Sequence, residues 1–504
     1  MAIIPSILNL LGSKRLSEID LFKKYPVETQ QETVNKLLAK AANTEWGKKY
    51  DYSSITTIAE YQNRVPIQTY EDIIPYIDRL RQGETNILWH DKIKWFAKSS
   101  GTTSAKSKFI PISDESLEKC HYKAARDVMI MYAAINPDTR IFSGKNLTLG
   151  GSCKIDRLGS GALCGDLSAI LIENSPPWFE LIRTPDSKIA LLEDFEEKLN
   201  KIIETSINEN VTSITGVPSW YLVLIKQILA HTGKTNLLDV WQNFEVFFHG
   251  GISFSPYREQ FKNLIKGENI RYMETYNASE GFFGIQDDLS QSDMLLMLDY
   301  GIFYEFIPTD KLASGSTKAY TISEVEKDVN YAIIISTNGG LWRYMIGDTI
   351  TFTSLNPHRF RISGRTKHFI NVFGEEVIVD NADKALELAC KATGATITDY
   401  TVGPVFMSAS SKGSHEWIIE FDKPPVDIVY FAHTLDNALK SINSDYEAKR
   451  HKDLNLAMPV VISAPQGTFN KWFTSKNKLG GQNKMPRLSN SREYIDELTA
   501  FIKL

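Results

Sequence analysis

Apolar residues recur at helical spacing through about the first 90 residues, with Leu37, Leu38, Ala41 and Ala42 on one such stretch and loops marked by Gly47 and Pro66. This pattern predicts a packing region of helices without chemistry of its own. Beyond it the pattern alternates. Short β-rich runs such as Ile93–Ala97 and Phe244–Phe248 are followed by long amphipathic stretches, which predicts an α/β core. One stretch places Leu117, Cys120, Ala124, Val128 and Met131 on a single helix face. From 294 to 352 the strand-like runs Gly301–Pro308, Tyr331–Ile335 and Thr349–Phe352 follow one another without helical runs, as in an antiparallel sheet or small barrel.

The segment Ser363–His368 is a short polar, glycine-containing connection between two strand-like runs. It divides the chain into a large N-terminal domain, 1–363, a hinge, 364–368, and a small C-terminal domain, 369–504. The small domain has its own pattern: a helix over Ala382–Lys391, strands around Val402–Phe406 and Trp417–Phe421, and a helix with Leu435, Leu439, Ile442 and Tyr446 on one face. No internal repeat or low-complexity tract interrupts it.

Composition narrows the function. Among 504 residues, 42% hydrophobic and 23% charged is the balance of a chain with a large core, which excludes wholesale disorder. No apolar run reaches the roughly 18 residues of a spanning helix. Lys+Arg 56 against Asp+Glu 61 leaves a net charge of −5, the wrong sign for a dedicated nucleic-acid binder. Cys120, Cys153, Cys164 and Cys390 are too scattered for a disulfide framework and fit reduced thiols. The apolar opening stretch lacks a basic region and a cleavage site, so a cytoplasmic protein is expected.

Chemistry concentrates in a few places. In Lys98–Lys108, the hydroxyls of Ser99, Ser100, Thr102 and Thr103 surround Gly101, and Lys106 and Lys108 follow. Such a loop can wrap a polyphosphate with amides and hydroxyls while the lysines supply counter-charge. It is not a Walker A motif, because Phe109–Ile112 reads as a strand and not a helix. A polar hairpin turn is the alternative. Phe247–Pro256 is a strand ending in Gly250 and Gly251, and Arg271–Gly281 is another, carrying Thr275, Tyr276, Ser279 and Glu280. A nucleotide at the carboxyl edge of a sheet needs such groups: glycines for a planar base, Tyr276 to stack on it, Glu280 to hold Mg²⁺ through oxygen. Leu341–Asp348 reads as a strand ending in Gly347-Asp348, either a hairpin signal or a carboxylate for a ribose diol. Gly159, Gly161 and Gly165 lack dinucleotide-motif spacing, no G-x-S-x-G elbow occurs, and the nine histidines form no H-E-x-x-H pair. His249 beside Gly250 is a possible base or an ordinary structural histidine.

Five segments, Ser99–Thr103 with its trailing lysine, Tyr276–Glu280, Tyr304–Pro308, Arg343–Asp348 and Asn483–Arg487, stand in the order seen in the Gretchen Hagen family, which this chain resembles from about residue 95 to 487. Its members are acyl acid amido synthetases, best known for conjugating plant auxin and jasmonate to amino acids, and they form a branch of the adenylate-forming superfamily. The resemblance implies an α/β fold of luciferase-like architecture: a large domain of sheets plus a β-barrel with flanking helices, and a small mobile α/β domain. It further implies that Ser99–Thr103 hold the ATP phosphates, Tyr276 packs on adenine, Glu280 binds Mg²⁺, Asp348 takes the ribose hydroxyls, and Lys484 reaches the α-phosphate. With the residues read above, the expected nucleotide set is Ser99, Ser100, Gly101, Thr102, Thr103, Lys108, Gly250, Gly251, Thr275, Tyr276, Ser279, Asp348 and Arg365, with Glu280 and Lys484 catalytic. Gly364–Gly374 resembles the hinge of the wider superfamily more than that of the plant branch, as in a bacterial-type member, so neither the plant substrates nor the acyl pocket carry over.

The activity implied is adenylation of a carboxylic acid by ATP and Mg²⁺, then transfer of the acyl group to an amine, an amino acid by resemblance, with release of pyrophosphate and AMP. The expected partners are these small molecules, with no nucleic acid, no membrane and no carrier-protein domain in the chain. An acyl-CoA synthetase passing the acyl group to a thiol is the alternative. A silent nucleotide-binding scaffold would be expected to have lost Glu280, Asp348 or Lys484, and a hydrolase using Glu280 and Asp348 leaves the Ser/Thr loop unexplained.

Overall fold

The computed structural model describes residues 3–99, 108–149, 155–177, 179–192, 194–251, 254, 257–365, 369–370, 375, 377–406, 413–443, 446–447, 450, 456–476 and 485–503. These separate into two compact units, one of residues 1–215, 243–251 and 269–361, the other of 216–242, 252–268 and 362–504.

The first unit opens with helices, Ile3–Lys24, Pro26–Ala41 and Tyr70–Arg81 being the longest, as the N-terminal periodicity predicts. Val34, Leu37, Leu38 and Ala41 form the buried stripe of the second of these. Its strands follow in chain order: β1 Trp95–Ser99, β2 Lys108–Ile112, β3 Lys145–Thr148, β4 Asp156–Arg157, β5 Leu163–Gly165, β6 Arg183–Thr184, β7 Val211–Gly216, β8 Val246–Gly250, β9 Arg271–Ala278, β10 Gly281–Ile285, β11 Met294–Leu296, β12 Ile302–Pro308, β13 Asn330–Thr337, β14 Tyr344–Leu355 and β15 His358–Arg365. A four-stranded sheet runs β2-β1-β5-β4, and an eleven-stranded sheet runs β12-β13-β14-β15-β11-β10-β9-β8-β7-β3-β6. The pairings β3/β6, β3/β7 and β8/β9 are parallel, whereas β9/β10, β10/β11, β11/β15, β12/β13 and β13/β14 are antiparallel. The closely spaced strands of 294–352 thus continue the parallel strands as one ladder. β12 is buried along its whole length and β13 almost so, which is why neither alternates apolar with exposed polar residues; the polar groups that they carry, such as Glu305 and Ser336, are themselves buried.

The amphipathic stretch after β2 departs from a uniform helix. Leu117–Tyr122 forms a π-type turn, and a regular helix, Lys123–Ile135, takes over. All five predicted face residues are buried. The wider turn also brings His121 inside.

In the second unit, β18 Thr396–Val405, β19 Ser414–Lys423 and β20 Val460–Ala464 form a sheet, and β16 Phe369–Ile370 pairs with β17 Val377–Ile378. Helices Val379–Thr393 and Ile428–Ile442 pack Leu386, Leu435 and Leu439 against Tyr400, Trp417 and Ile419. Helices Pro218–Thr232 and Arg258–Leu264 belong to the same unit. Lys226 pairs with Asp422 at 2.5 Å, and the Gln260 amide donates to the Ile397 carbonyl at 2.6 Å.

Candidate functional site

Strand β1 ends at Ser99 and β2 begins at Lys108, the two in register across an antiparallel pair. The run that follows the Ser/Thr segment is therefore a strand and not a helix, as the sequence predicts. Ser100, Gly101, Thr102 and Thr103 lie outside the described residues, as does Lys484. The Lys108 ammonium lies over the Tyr70 ring, 5.6 Å from its centroid, and the Tyr70 hydroxyl accepts the Phe109 amide at 2.8 Å.

Parallel pairing of β8 with β9 sets Gly250 beside Thr275. A Cβ on Gly250 would lie 2.3 Å from the Thr275 carbonyl oxygen, so only glycine fits this close approach. The Thr275 hydroxyl donates to the His249 carbonyl at 3.2 Å, and Gly251 follows with φ +82°. The next residue on β9, Tyr276, is buried; its hydroxyl donates to the Asp348 carboxylate 72 residues away in the chain. Ser279 and the half-buried Glu280 occupy the turn from β9 to β10.

Asp348 does not end a strand, as the sequence suggested, but sits inside β14. Between the pairs Ala332/Thr349 and Ile334/Met345, the single residue Ile333 faces Ile346, Gly347 and Asp348. This bulge needs a left-handed residue, and Gly347 supplies it with φ +92°. A Gly-Asp pair reads as a hairpin turn for the same reason that it suits a bulge. Here the bulge re-aims a buried carboxylate, 7% exposed, toward Tyr276. Arg365 lies inside the expected hinge of 364–368, yet Ser363–Arg365 still belong to strand β15 rather than to a connection; 366–368 lie outside the described residues.

Sequence reasoning missed three neighbours. Tyr344, at the start of β14, is fully buried and its hydroxyl makes no hydrogen bond among the described residues. Burial, with Glu280, Tyr70, Glu71 and Asp348 around it, holds this phenol well above its usual range, so it stays neutral. Its place inside the Arg343–Asp348 segment was the one available signal. Cys120, expected only as part of a buried helix face, and His121 lie in the π-type turn, which no sequence pattern announced. The Phe282 amide donates to the Cys120 sulfur at 3.3 Å, which sets that turn next to β10. Burial pushes the Cys120 thiol up to about 12 and the His121 imidazole down to about 4, so neither ionises near neutrality.

One glutamate beside the strand ends suits Mg²⁺, which binds through one or two protein carboxylates, substrate phosphates and water. No group of three or more His, Cys, Asp or Glu that could hold a metal occurs among the described residues.

This geometry can be set beside known proteins. The GH3 family N-terminal domain matches residues 15–270, its central domain 295–365 and its C-terminal domain 380–493. Jasmonoyl–L-amino acid synthetase JAR6 of Nicotiana attenuata is 24% identical over 94% of this chain and 93% of its own. Indole-3-acetic acid-amido synthetase GH3.2 of Arabidopsis thaliana is 22% identical over 77% of this chain and 83% of its own. In three dimensions the chain resembles the GH3.15 acyl acid amido synthetase, with a TM-score of 0.80, 18% identity and coverage of 96% and 95%. A 2-hydroxyisobutyryl-CoA ligase in its postadenylation state follows at a TM-score of 0.61, 11% identity and coverage of 94% and 91%. The fold is that of the adenylate-forming ligases, and with three consecutive family domains matched along its length, the chain belongs to the GH3 family.

Proposed function

We propose that this protein is an ATP-dependent acyl acid amido synthetase that adenylates a carboxylic acid and transfers the acyl group to an amine, most simply an amino acid. The observation that carries this is the convergence of Gly250, Thr275, Tyr276 and Asp348, at the ends of β8 and β9 and the bulge of β14, in a chain of the GH3 family. We read it as a bacterial-type, cytoplasmic member, with residues 364–368 as the hinge between 1–363 and 369–504.

A carboxylate acylates poorly because its carbonyl is electron-rich and oxide would have to leave. Attack of its oxygen on the α-phosphorus of ATP forms the acyl–O–phosphate bond and breaks the bond to pyrophosphate. The negative charge spread over that phosphorus must be met by fixed positive groups. In this proposal Ser99–Thr103 and Lys108 embrace the phosphates, Asp348 accepts hydrogen bonds from the ribose, and Lys484 supplies charge at the α-phosphate. Glu280 would hold Mg²⁺, which when bound neutralises phosphate charge. The deprotonated amine then attacks the acyl carbon, and AMP leaves with the bonding pair.

Pyrophosphate release across a panel of acids that includes indole-3-acetic and jasmonic acid, followed by mass spectrometry with amino acids and with coenzyme A, tests the proposal. An amide with AMP and pyrophosphate is expected. A coenzyme A thioester, with no amide from any amine, would establish the acyl-CoA synthetase instead.

A further inference from the structure

We propose that Tyr344 is a positioning residue for Glu280, its hydroxyl donating to that carboxylate once the carboxylate holds a divalent cation. The inference rests on the reading of Glu280 as the Mg²⁺ residue and adds a second protein group to it.

Tyr344 is fixed from both sides. The Gln68 amide donates to the Arg343 carbonyl and the Met345 amide to the Gln68 carbonyl, each at 2.9 Å, while β14 pairs Tyr344 with Ile335 of β13. The residue is 0% exposed, yet its hydroxyl makes no hydrogen bond among the described residues. A buried hydroxyl in that position has lost its hydrogen bonds to water and gained none, and native structures keep few of them. A donor retained at this place, next to the strand ends of the nucleotide set, is matched by a partner that turns to it when ligand binds.

That partner is Glu280. The Tyr276 hydroxyl donates to the Asp348 carboxylate. This link between β9 and β14 brings together the turn with Glu280, four residues after Tyr276, and the strand start with Tyr344, four residues before Asp348. Of the ionisable groups that act on the Tyr344 phenol, Glu280 acts most strongly, ahead of Tyr70, Glu71 and Asp348. Burial and these carboxylates keep the phenol protonated, so it has a proton to donate. Glu280 is half-buried and Tyr344 fully so, which lets the carboxylate face a cation while the phenol stands behind it. A carboxylate that ligates a metal through one oxygen is steadied by a donor on the other. The phenol lies too deep to be a ligand itself.

Tyr344→Phe removes only the hydroxyl. The full chain would be compared as wild type, Tyr344→Phe, Glu280→Gln and the double variant, by urea unfolding in EDTA and by calorimetric ATP binding across a Mg²⁺ titration. Each protein's response to Mg²⁺ is read against its own affinity in EDTA. The Mg²⁺ concentration at half response should rise about 10–100-fold in Tyr344→Phe. The double variant should respond no more weakly than Glu280→Gln. The urea midpoint of Tyr344→Phe should equal or exceed that of wild type, because the deleted hydroxyl has no partner in the free protein. A lower midpoint would show a hydroxyl bonded within the fold, and an unchanged Mg²⁺ response would show one that does nothing for Glu280. Either result overturns the inference and leaves the reading of Glu280 intact. A wild-type Mg²⁺ response in Glu280→Gln would overturn that reading, and the inference with it.

Discussion

Arg343 presents Nε and Nη2 to the two carboxylate oxygens of Glu305, each at 2.9 Å, and both residues are buried. Its third nitrogen, Nη1, donates to the carbonyls of Gln62 and Val65 at 2.7 and 2.6 Å, and the Gln62 amide returns a bond to Glu305 at 2.9 Å. The pair therefore ties the turn before β14 to β12 and to the N-terminal helices. Arg343 holds a left-handed backbone, φ +43°, costly for a residue with a Cβ and sustained by this network.

Removing one partner strands a buried charge. Glu305→Ala should cost about 3–5 kcal/mol in urea unfolding, whereas Glu305→Met with Arg343→Met should recover much of that loss because no charge is left unpaired. An unfolding midpoint for Glu305→Ala equal to wild type would show that the network does not hold the turn.

Tyr304–Pro308 and Arg343–Asp348 were legible in the sequence as segments, but their division of labour was not. Glu305 and Arg343 are 38 positions apart, and only the antiparallel packing of β12, β13 and β14 reveals that they hold each other while Asp348 faces elsewhere. The strands around Gly250 and Tyr276 could be read from apolar runs ending in glycine and polar residues, because such endings have a local cause. The Tyr276–Asp348 bond and the π-type turn depend on register shifts, which a periodic pattern does not encode. The assignment of helices Pro218–Thr232 and Arg258–Leu264 to the second unit was equally invisible, since each is flanked in sequence by strands of the first.

His121 predicts a pH dependence. Burial lowers its folded-state value to about 4, below the unfolded value of about 6.5, so between these the unfolded chain binds a proton that the folded chain refuses. Its contribution is intact above pH 6.5 and is lost as the pH falls toward 4, by up to about 3 kcal/mol. His121→Phe should flatten the decline of stability over that window relative to wild type. Parallel urea-midpoint profiles for the two proteins would mean that the imidazole protonates freely in the folded state.

Glu280→Gln keeps the volume of the side chain and removes its charge. If Glu280 holds Mg²⁺, the variant should fold normally, bind ATP in EDTA as the wild type does, and lose most of the gain in affinity that added Mg²⁺ brings. Pyrophosphate formation should fall with it. An unchanged response to Mg²⁺ titration would assign the ion to other groups.

The last prediction concerns Lys484, whose neighbours in the chain are well anchored. The Val402 amide donates to the Arg487 carbonyl at 2.8 Å, the Thr401 hydroxyl to the Pro486 carbonyl at 2.6 Å, and the Ser489 amide to the Val402 carbonyl at 3.0 Å. The Arg487 side chain pairs with Asp399, donates to the Tyr400 carbonyl at 3.0 Å and lies 4.5 Å from the Tyr400 ring centroid. The residues that follow Lys484 in the chain are thus held along β18, and the proposed role of Lys484 is that of an electrostatic group serving a transition state. If Lys484 serves the α-phosphate, Lys484→Ala should lower pyrophosphate formation by about 10²–10³-fold with little change in ATP affinity, because the charge is needed where it develops and less in the ground state. A synthetic acyl adenylate, which has already passed that barrier, should still be converted to amide by the variant. If Arg487 acts only by holding the segment that carries Lys484, Arg487→Ala should lower the same half-reaction and the double variant should be no worse than Lys484→Ala. Pyrophosphate formation at the wild-type rate in Lys484→Ala would remove this lysine from the adenylation step, and multiplicative losses in the double variant would give Arg487 a separate task.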